Sequence, residues 1–224
     1  MKPLKQTRLF FFGLAILLAS VACGLGDVTG LIGGGGASGP EGSVYYDDFS
    51  STSSGWAQYD DFDGINDYAD GTYRILVNDT EYFSWSIIDE TFSDASIEVQ
   101  VVGMGGPFDA EAGIICRYVD DNNFYLMTIT ADGFYAISKF VNNEFTALTG
   151  NGDYAESSLI NQGNSSNALR ADCVGSTLSL YVNGTLVDSV TDSSLTSGDV
   201  GLVAGTFTEP GSDIIFDDFT VYNP

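Results

Sequence analysis

Apolar and polar residues alternate along short runs over most of the chain. In Ala95–Met104, Ile97, Val99 and Val101 fall on one side and Glu98 and Gln100 on the other. In Thr177–Val182, Leu178, Leu180 and Val182 oppose Ser179 and Tyr181. A period of two describes a strand with one buried and one wet face. Further β-rich runs predict strands at Val44–Phe49, Asn66–Ala69, Thr72–Val77, Phe83–Ile88, Gly113–Tyr118, Phe124–Thr130, Phe134–Val141, Ala168–Val174, Thr185–Val190, Val200–Thr206 and Ile214–Tyr222. Turn sequences punctuate them: Asp70-Gly71, Ala131-Asp132-Gly133 and Asn183-Gly184 tolerate the positive φ angles of tight hairpins. A dozen or so antiparallel strands of this kind pack as two sheets, an all-β jelly-roll sandwich, with a closed barrel as the alternative. No 40-residue repeat suggests a propeller.

The N-terminus has a different pattern. Lys2, Lys5 and Arg8 precede an apolar run from Leu9 to Leu18, followed by Ala19-Ser20-Val21-Ala22-Cys23. Basic, apolar and small residues in that order read as an export signal over 1–22. The stretch is too short for a bilayer-spanning helix, which needs about 20 apolar residues. The small residues running into Cys23 resemble the lipobox of bacterial lipoproteins. That resemblance implies lipid on Cys23 as the membrane attachment; plain secretion after Ala22 is the alternative. From Gly24 to Gly42 the chain is glycine-rich, with few large apolar side chains, and reads as a flexible tether. The folded domain is expected over 43–224, working outside the cytoplasm.

Charge narrows the partners. The chain holds 31 acidic and 7 basic residues, a net charge of −24. Such a surface repels phosphate backbones, so nucleic acid is not an expected partner, and a membrane is expected only through the lipid. A monomer is expected. The surplus of acids suits solubility or divalent cations. With no histidine in the chain, the commonest general base and transition-metal ligand are missing, and a Ser-His-Asp triad is excluded. With Cys23 lipidated, Cys116 and Cys173 form an even pair inside strand-like segments. A disulfide and two buried thiols are the two readings.

The opening Tyr46-Asp47-Asp48-Phe49-Ser50 with Ser54-Gly55-Trp56, the hairpin Asp70-Gly71-Thr72-Tyr73-Arg74-Ile75 and the ending Phe216-Asp217-Asp218-Phe219-Thr220-Val221-Tyr222 resemble concanavalin A-like lectin/glucanase domains. Internal segments, Ala112–Tyr118 with Asn123-Phe124-Tyr125, and Leu180–Gly184, are similar to laminin-G-like and keto-disaccharide-hydrolase-like members. The resemblance implies first and last strands side by side. It also implies a structural calcium held by Asp48, the Gly71 carbonyl and Asp217, and no organic cofactor; these aspartates could equally cap exposed strand ends. Calcium takes six to eight oxygen ligands, with water completing the shell. The acids Asp60, Asp61, Asp63 and Asp67 do not have EF-hand spacing and read as a solvated loop.

Glucanase activity in this group needs two glutamates with an aspartate between them on one strand. No Glu-x-Asp-x-Glu or Glu-x-Asp-x-x-Glu occurs here. Binding of a glycan or another extracellular polymer is therefore the expected class, beside a structural or adhesive module and a carboxylate-only hydrolase or lyase. Aromatic faces that stack on sugars and planar polar groups that fix hydroxyls are the residues to look for. The candidates are Trp85, Arg117, Tyr125 and Tyr135, with Trp56, Asn122 and Asn123 beside them. Each has a structural alternative: Trp56 as core, Tyr125 and Tyr135 as partners packed across their hairpin, Arg117 as a counter-charge.

Overall fold

The structure, a computed structural model, describes residues 39–224; the export segment, Cys23 and most of the tether lie outside the described residues. In chain order the strands are β1 Ser43–Asp47, β2 Tyr59–Asp60, β3 Gly64–Ala69, β4 Thr72–Val77, β5 Phe83–Phe92, β6 Ala95–Gly105, β7 Glu111–Asp120, β8 Asn123–Thr130, β9 Phe134–Val141, β10 Glu144–Ala147, β11 Ala155–Glu156, β12 Asn167–Val174, β13 Thr177–Val182, β14 Thr185–Thr191, β15 Gly198–Gly205 and β16 Ser212–Tyr222. They form two antiparallel sheets. A nine-stranded sheet runs β14-β13-β12-β6-β16-β4-β3-β2, with β1 also on β16; a seven-stranded sheet runs β10-β9-β8-β7-β15-β5, with β11 on β9. The molecule is an all-β jelly-roll sandwich.

The alternating runs build the nine-stranded sheet as expected. Ile97, Val99 and Val101 of β6 and Leu178, Leu180 and Val182 of β13 are all buried between the layers. The turns behave likewise: Asp70 and Gly71 have φ of 53° and 82°, and Asn183 and Gly184 of 51° and 79°. The first and last strands are neighbours, with Asp47 opposite Phe219. One detail of that edge positions a site. β16 pairs with β4 over residues 212–216 and with β1 over 219–222, leaving Asp217 and Asp218 in the gap between them.

Three short strands, β2, β10 and β11, were not expected; they lie at or beyond the sheets' edges, where little burial is needed to hold a chain. β2 also corrects the reading of the acidic stretch as one loop. Asp60 pairs with Ile65, and Asp67 sits within β3 opposite Arg74.

The seven-stranded sheet departs from simple alternation. Its inner face contributes Ile88, Ile114, Met127, Ile129, Ile137 and Leu202 to the common core. Its outer face is apolar too, with Trp85, Ile115, Tyr118, Phe124, Leu126, Phe140 and Val203 buried as a second cluster. The two sheets are joined covalently by a disulfide from Cys116 on β7 to Cys173 on β12.

Candidate functional site

Trp85 belongs to the second cluster. Its ring lies 5.4 Å from Phe124, which stacks on Phe140 at 4.9 Å; Tyr118 is 5.7 Å from Phe124, and Phe145 is 5.4 Å from Phe140. Phe83, Ile87 and Phe145, partly buried, border the cluster. A two-layer sandwich of this size ordinarily turns polar residues outward. Here the outward face is paved with rings that cover one another.

The other expected ligand groups are placed elsewhere. Tyr125 faces the interlayer core, and its hydroxyl donates to Asp192 at 2.5 Å. Lys139 donates to the other oxygen of Asp192 at 2.5 Å. Burial alone would raise the Asp192 pKa, but these bonds and those from Ser194 hold it far below the usual carboxylate range. Tyr135 also packs against that core. Tyr125 and Tyr135 do not face each other: the β8–β9 register pairs Tyr125 with Lys139 and Ile129 with Tyr135, because Tyr125 is much further from the turn. Trp56 is core, in contact with Phe49, Tyr73 and Phe219, and its Nε1 donates to Asp47 at 2.8 Å. Asn123 holds the β7–β8 turn, donating to Asp120 and accepting from the Asn142 amide. The Asn122 carbonyl accepts the Asn143 amide.

Arg117 is buried and spends its donors on the protein. Nε donates to the Ser93 carbonyl, Nη1 to Leu195, and Nη2 to Cys173 and Gly175, with Asp94 at 3.5 Å. The guanidinium thus ties three connections together beside the disulfide. Only Trp85 of the four lies on the outward ring layer.

A group not singled out from the sequence sits at one end of that layer. Glu111 opens β7, is 1% exposed, and leaves the sheet on the same face as Thr130, its cross-strand partner. One carboxylate oxygen accepts the Tyr154 hydroxyl at 2.7 Å, and the other is buried beside Thr128 without a hydrogen bond of full geometry. Burial pushes the carboxyl up to about 7, against the hydrogen bonds of Thr128 and Tyr154, with the charge of Asp109 adding to the rise. Tyr154 is raised in turn, by burial and by the carboxylate beside it. In front of this pair lies a cavity of about 280 Å3, lined by Asp109, Thr130, Asp132, Phe134, Asp153, Tyr154 and Phe207. Retaining glycoside hydrolysis needs a second carboxyl about 5 Å from the first. The strand neighbours of Glu111 on its face, Gly113 along β7 and Thr130 and Gly205 across it, supply none.

The corner proposed for calcium is built by register. Tyr73 pairs with Phe216, so the Asp70-Gly71 turn is level with Asp217 and Asp218, and β1 delivers Asp48 to the same gap. Burial raises the Asp217 carboxyl, the Asp218 amide bond lowers it, and the charges of Asp218 and Asp48 add to the rise. Hydrogen bonds from Ser50 lower Asp48. Tyr46 donates to Asp218 at 2.7 Å. Among the described residues no three acidic or cysteine side chains converge as a metal-holding group. The oxygens present fit a calcium ion only with backbone carbonyls and water in most positions of its shell.

No protein-family model matches the chain, and no curated protein matches it. Solved structures do. It is similar to a carbohydrate-binding module, CBM66, from Bacillus subtilis, at 19% identity and TM-score 0.51 over 80% of this chain and 95% of that one. A β-glucanase from Bacillus licheniformis matches with TM-score 0.60 and 12% identity, over 83% of this chain and 100% of the other. A Bacillus subtilis protein of unknown function with a galectin-like fold gives TM-score 0.60 and 13% identity, over 80% and 95%. The fold is the concanavalin A-like jelly roll. At these identities the concanavalin A-like likeness carries the architecture, while any site must be argued from this chain's own residues.

Proposed function

We propose that the chain is an exported domain, attached to the membrane by lipid on Cys23, that binds glycan or another extracellular polymer without cleaving it. The observation that carries the reading is the open depression at the end of the ring layer, lined by Phe134, Tyr154 and Phe207 together with carboxylates. Rings offer apolar faces to pyranose carbon–hydrogen surfaces, and carboxylates accept hydroxyl protons. The carbohydrate-binding module among the similar structures shows that this architecture is used for such binding elsewhere.

Affinity electrophoresis and pull-down of the purified protein on a panel of insoluble and soluble polysaccharides test this. Retention on at least one polymer is expected, and it should weaken when Phe134 and Phe207 are replaced by alanine. Retention on none, with the protein folded, overturns it. Attachment is tested by fatty-acid labelling of the wild type and of Cys23→Ala, which should lose the label.

A second reading, an adhesive module for a protein partner, is favoured by one observation. Trp85, Phe124 and Phe140 pack on one another so fully that the layer presents a filled face, not a groove. Co-purification of a protein partner, abolished by polar substitutions of Phe83 and Phe145 at the border of that face, would decide for it.

A further inference from the structure

The cavity in front of Glu111 differs from an ordinary acidic surface in having no counter-charge. It carries Asp109, Asp132 and Asp153 around the rings of Phe134, Tyr154 and Phe207. The basic side chains of the described residues are all committed elsewhere. Arg74 pairs with Asp213 at 2.6 Å, Arg117 with Asp94 at 3.5 Å, Lys139 with Asp192 at 2.5 Å and Arg170 with Asp172 at 2.7 Å. Asp132 accepts from Thr130, and Asp153 from the Tyr154 amide, which orients both without neutralising them.

Behind the wall stands the buried Glu111, tied to Tyr154, with its second oxygen in no hydrogen bond of full geometry. It projects from the sheet on the side of Thr130, a lining residue. The acids lie around the cavity without converging as a metal-holding group. Dispersed negative charge suits a ligand that has body as well as charge. The rings give that body an apolar border: Tyr154 meets Phe207 edge to face at 5.5 Å, and Phe134 is 37% exposed. Ring faces attract cations electrostatically as well as stacking on carbon–hydrogen surfaces. The space is an open depression of about 280 Å3, just below the roughly 300–1,000 Å3 of ligand pockets, with room for one compact group and not for an extended one.

We infer that this cavity binds a hexosamine residue with a free amino group, held by its ring face on the aromatics and by its ammonium among Asp109, Asp132 and Asp153. The inference rests on the glycan-binding reading and narrows it to a cationic sugar. A chain of net charge −24 would also concentrate such a ligand by long-range attraction.

The test compares glucosamine oligomers with N-acetylated oligomers of the same length by calorimetry, at low and high salt. Acetylation removes the charge and keeps the ring. The free amines should bind at least tenfold more tightly at low salt, and the advantage should shrink as salt rises. Asp109→Asn, Asp132→Asn and Asp153→Asn together should abolish the preference. The same loss of charge through Glu41→Gln, Glu98→Gln and Glu144→Gln should leave it. Equal binding of the two oligomers, or equal loss in both triple variants, overturns the inference while leaving the broader glycan reading intact. Binding of lysine amide as tight as glucosamine, lost in the cavity variant, would also overturn it by showing that the cavity reads an ammonium on any carrier. Failure of every polysaccharide and every amino-oligomer alike would remove both readings.

Discussion

A buried carboxyl is costly to ionise, and Glu111 shows what that means for one residue. In an unfolded chain it titrates near an ordinary glutamate's pKa of about 4.3. In the fold, burial raises it to about 7. The folded state therefore holds its proton more tightly. Below about pH 4 both states are protonated and the full contribution is present; as pH rises toward and through 7 that contribution is lost. The shift amounts to about 3 kcal/mol as an order of magnitude. Urea denaturation should show wild-type stability falling between pH 5 and 8 by up to that amount, on top of the molecule's general pH dependence. Glu111→Gln should flatten this interval and exceed the wild type at pH 8. Parallel curves for the two proteins would mean that the carboxyl ionises freely. The same residue explains why a site can hide in a sequence. A single glutamate opening a strand-like run has no motif, and its isolation became visible only when Tyr154, 43 positions away, closed over it.

At the scale of elements, legibility followed periodicity. Strands of the nine-stranded sheet alternate and were readable, as were the Asp-Gly and Asn-Gly hairpins, because both signals are local. The seven-stranded sheet gave a different signal. Gly113-Ile114-Ile115-Cys116 and Phe124-Tyr125-Leu126-Met127 are continuous rather than alternating, the mark of a sheet apolar on both faces. Read only as strands, those runs did not disclose the ring layer, because a continuous apolar run does not say which of its side chains face outward. The fate of Arg117 was not legible, since its partners Ser93, Gly175 and Leu195 come from three separate connections and Cys173 from β12. The disulfide it accompanies closes a sequence separation of 57 between the two sheets. Constraining an unfolded loop of that length is worth about 4 kcal/mol in the chain-entropy model. Cys116→Ala with Cys173→Ala should lose several kcal/mol in denaturant midpoint analysis, and reductant should lower wild-type stability but not that of the double variant. An unchanged midpoint in the double variant would show that hydrophobic packing between the layers already holds them.

For the whole molecule, charge and closure meet at one edge. A net charge of −24 makes the compact state repel itself, so screening salt should raise its thermal midpoint. In a domain of this size about 1 kcal/mol corresponds to about 2–4 °C. Asp48, Asp217 and Asp218 gather between β1 and β4 on β16, the seam between the first and last strands. A calcium ion there would do what general screening does and also bridge the strands through oxygens of β1, the Asp70-Gly71 turn and β16. Sodium and calcium chloride at matched ionic strength separate the two effects. If the corner holds calcium, the calcium series should add several degrees beyond sodium, chelator should remove the increment, and Asp217→Asn should abolish it while keeping the response to sodium. If the two salts act alike in wild type, the seam is closed by strand pairing and by the packing of Phe49, Trp56 and Phe219 alone.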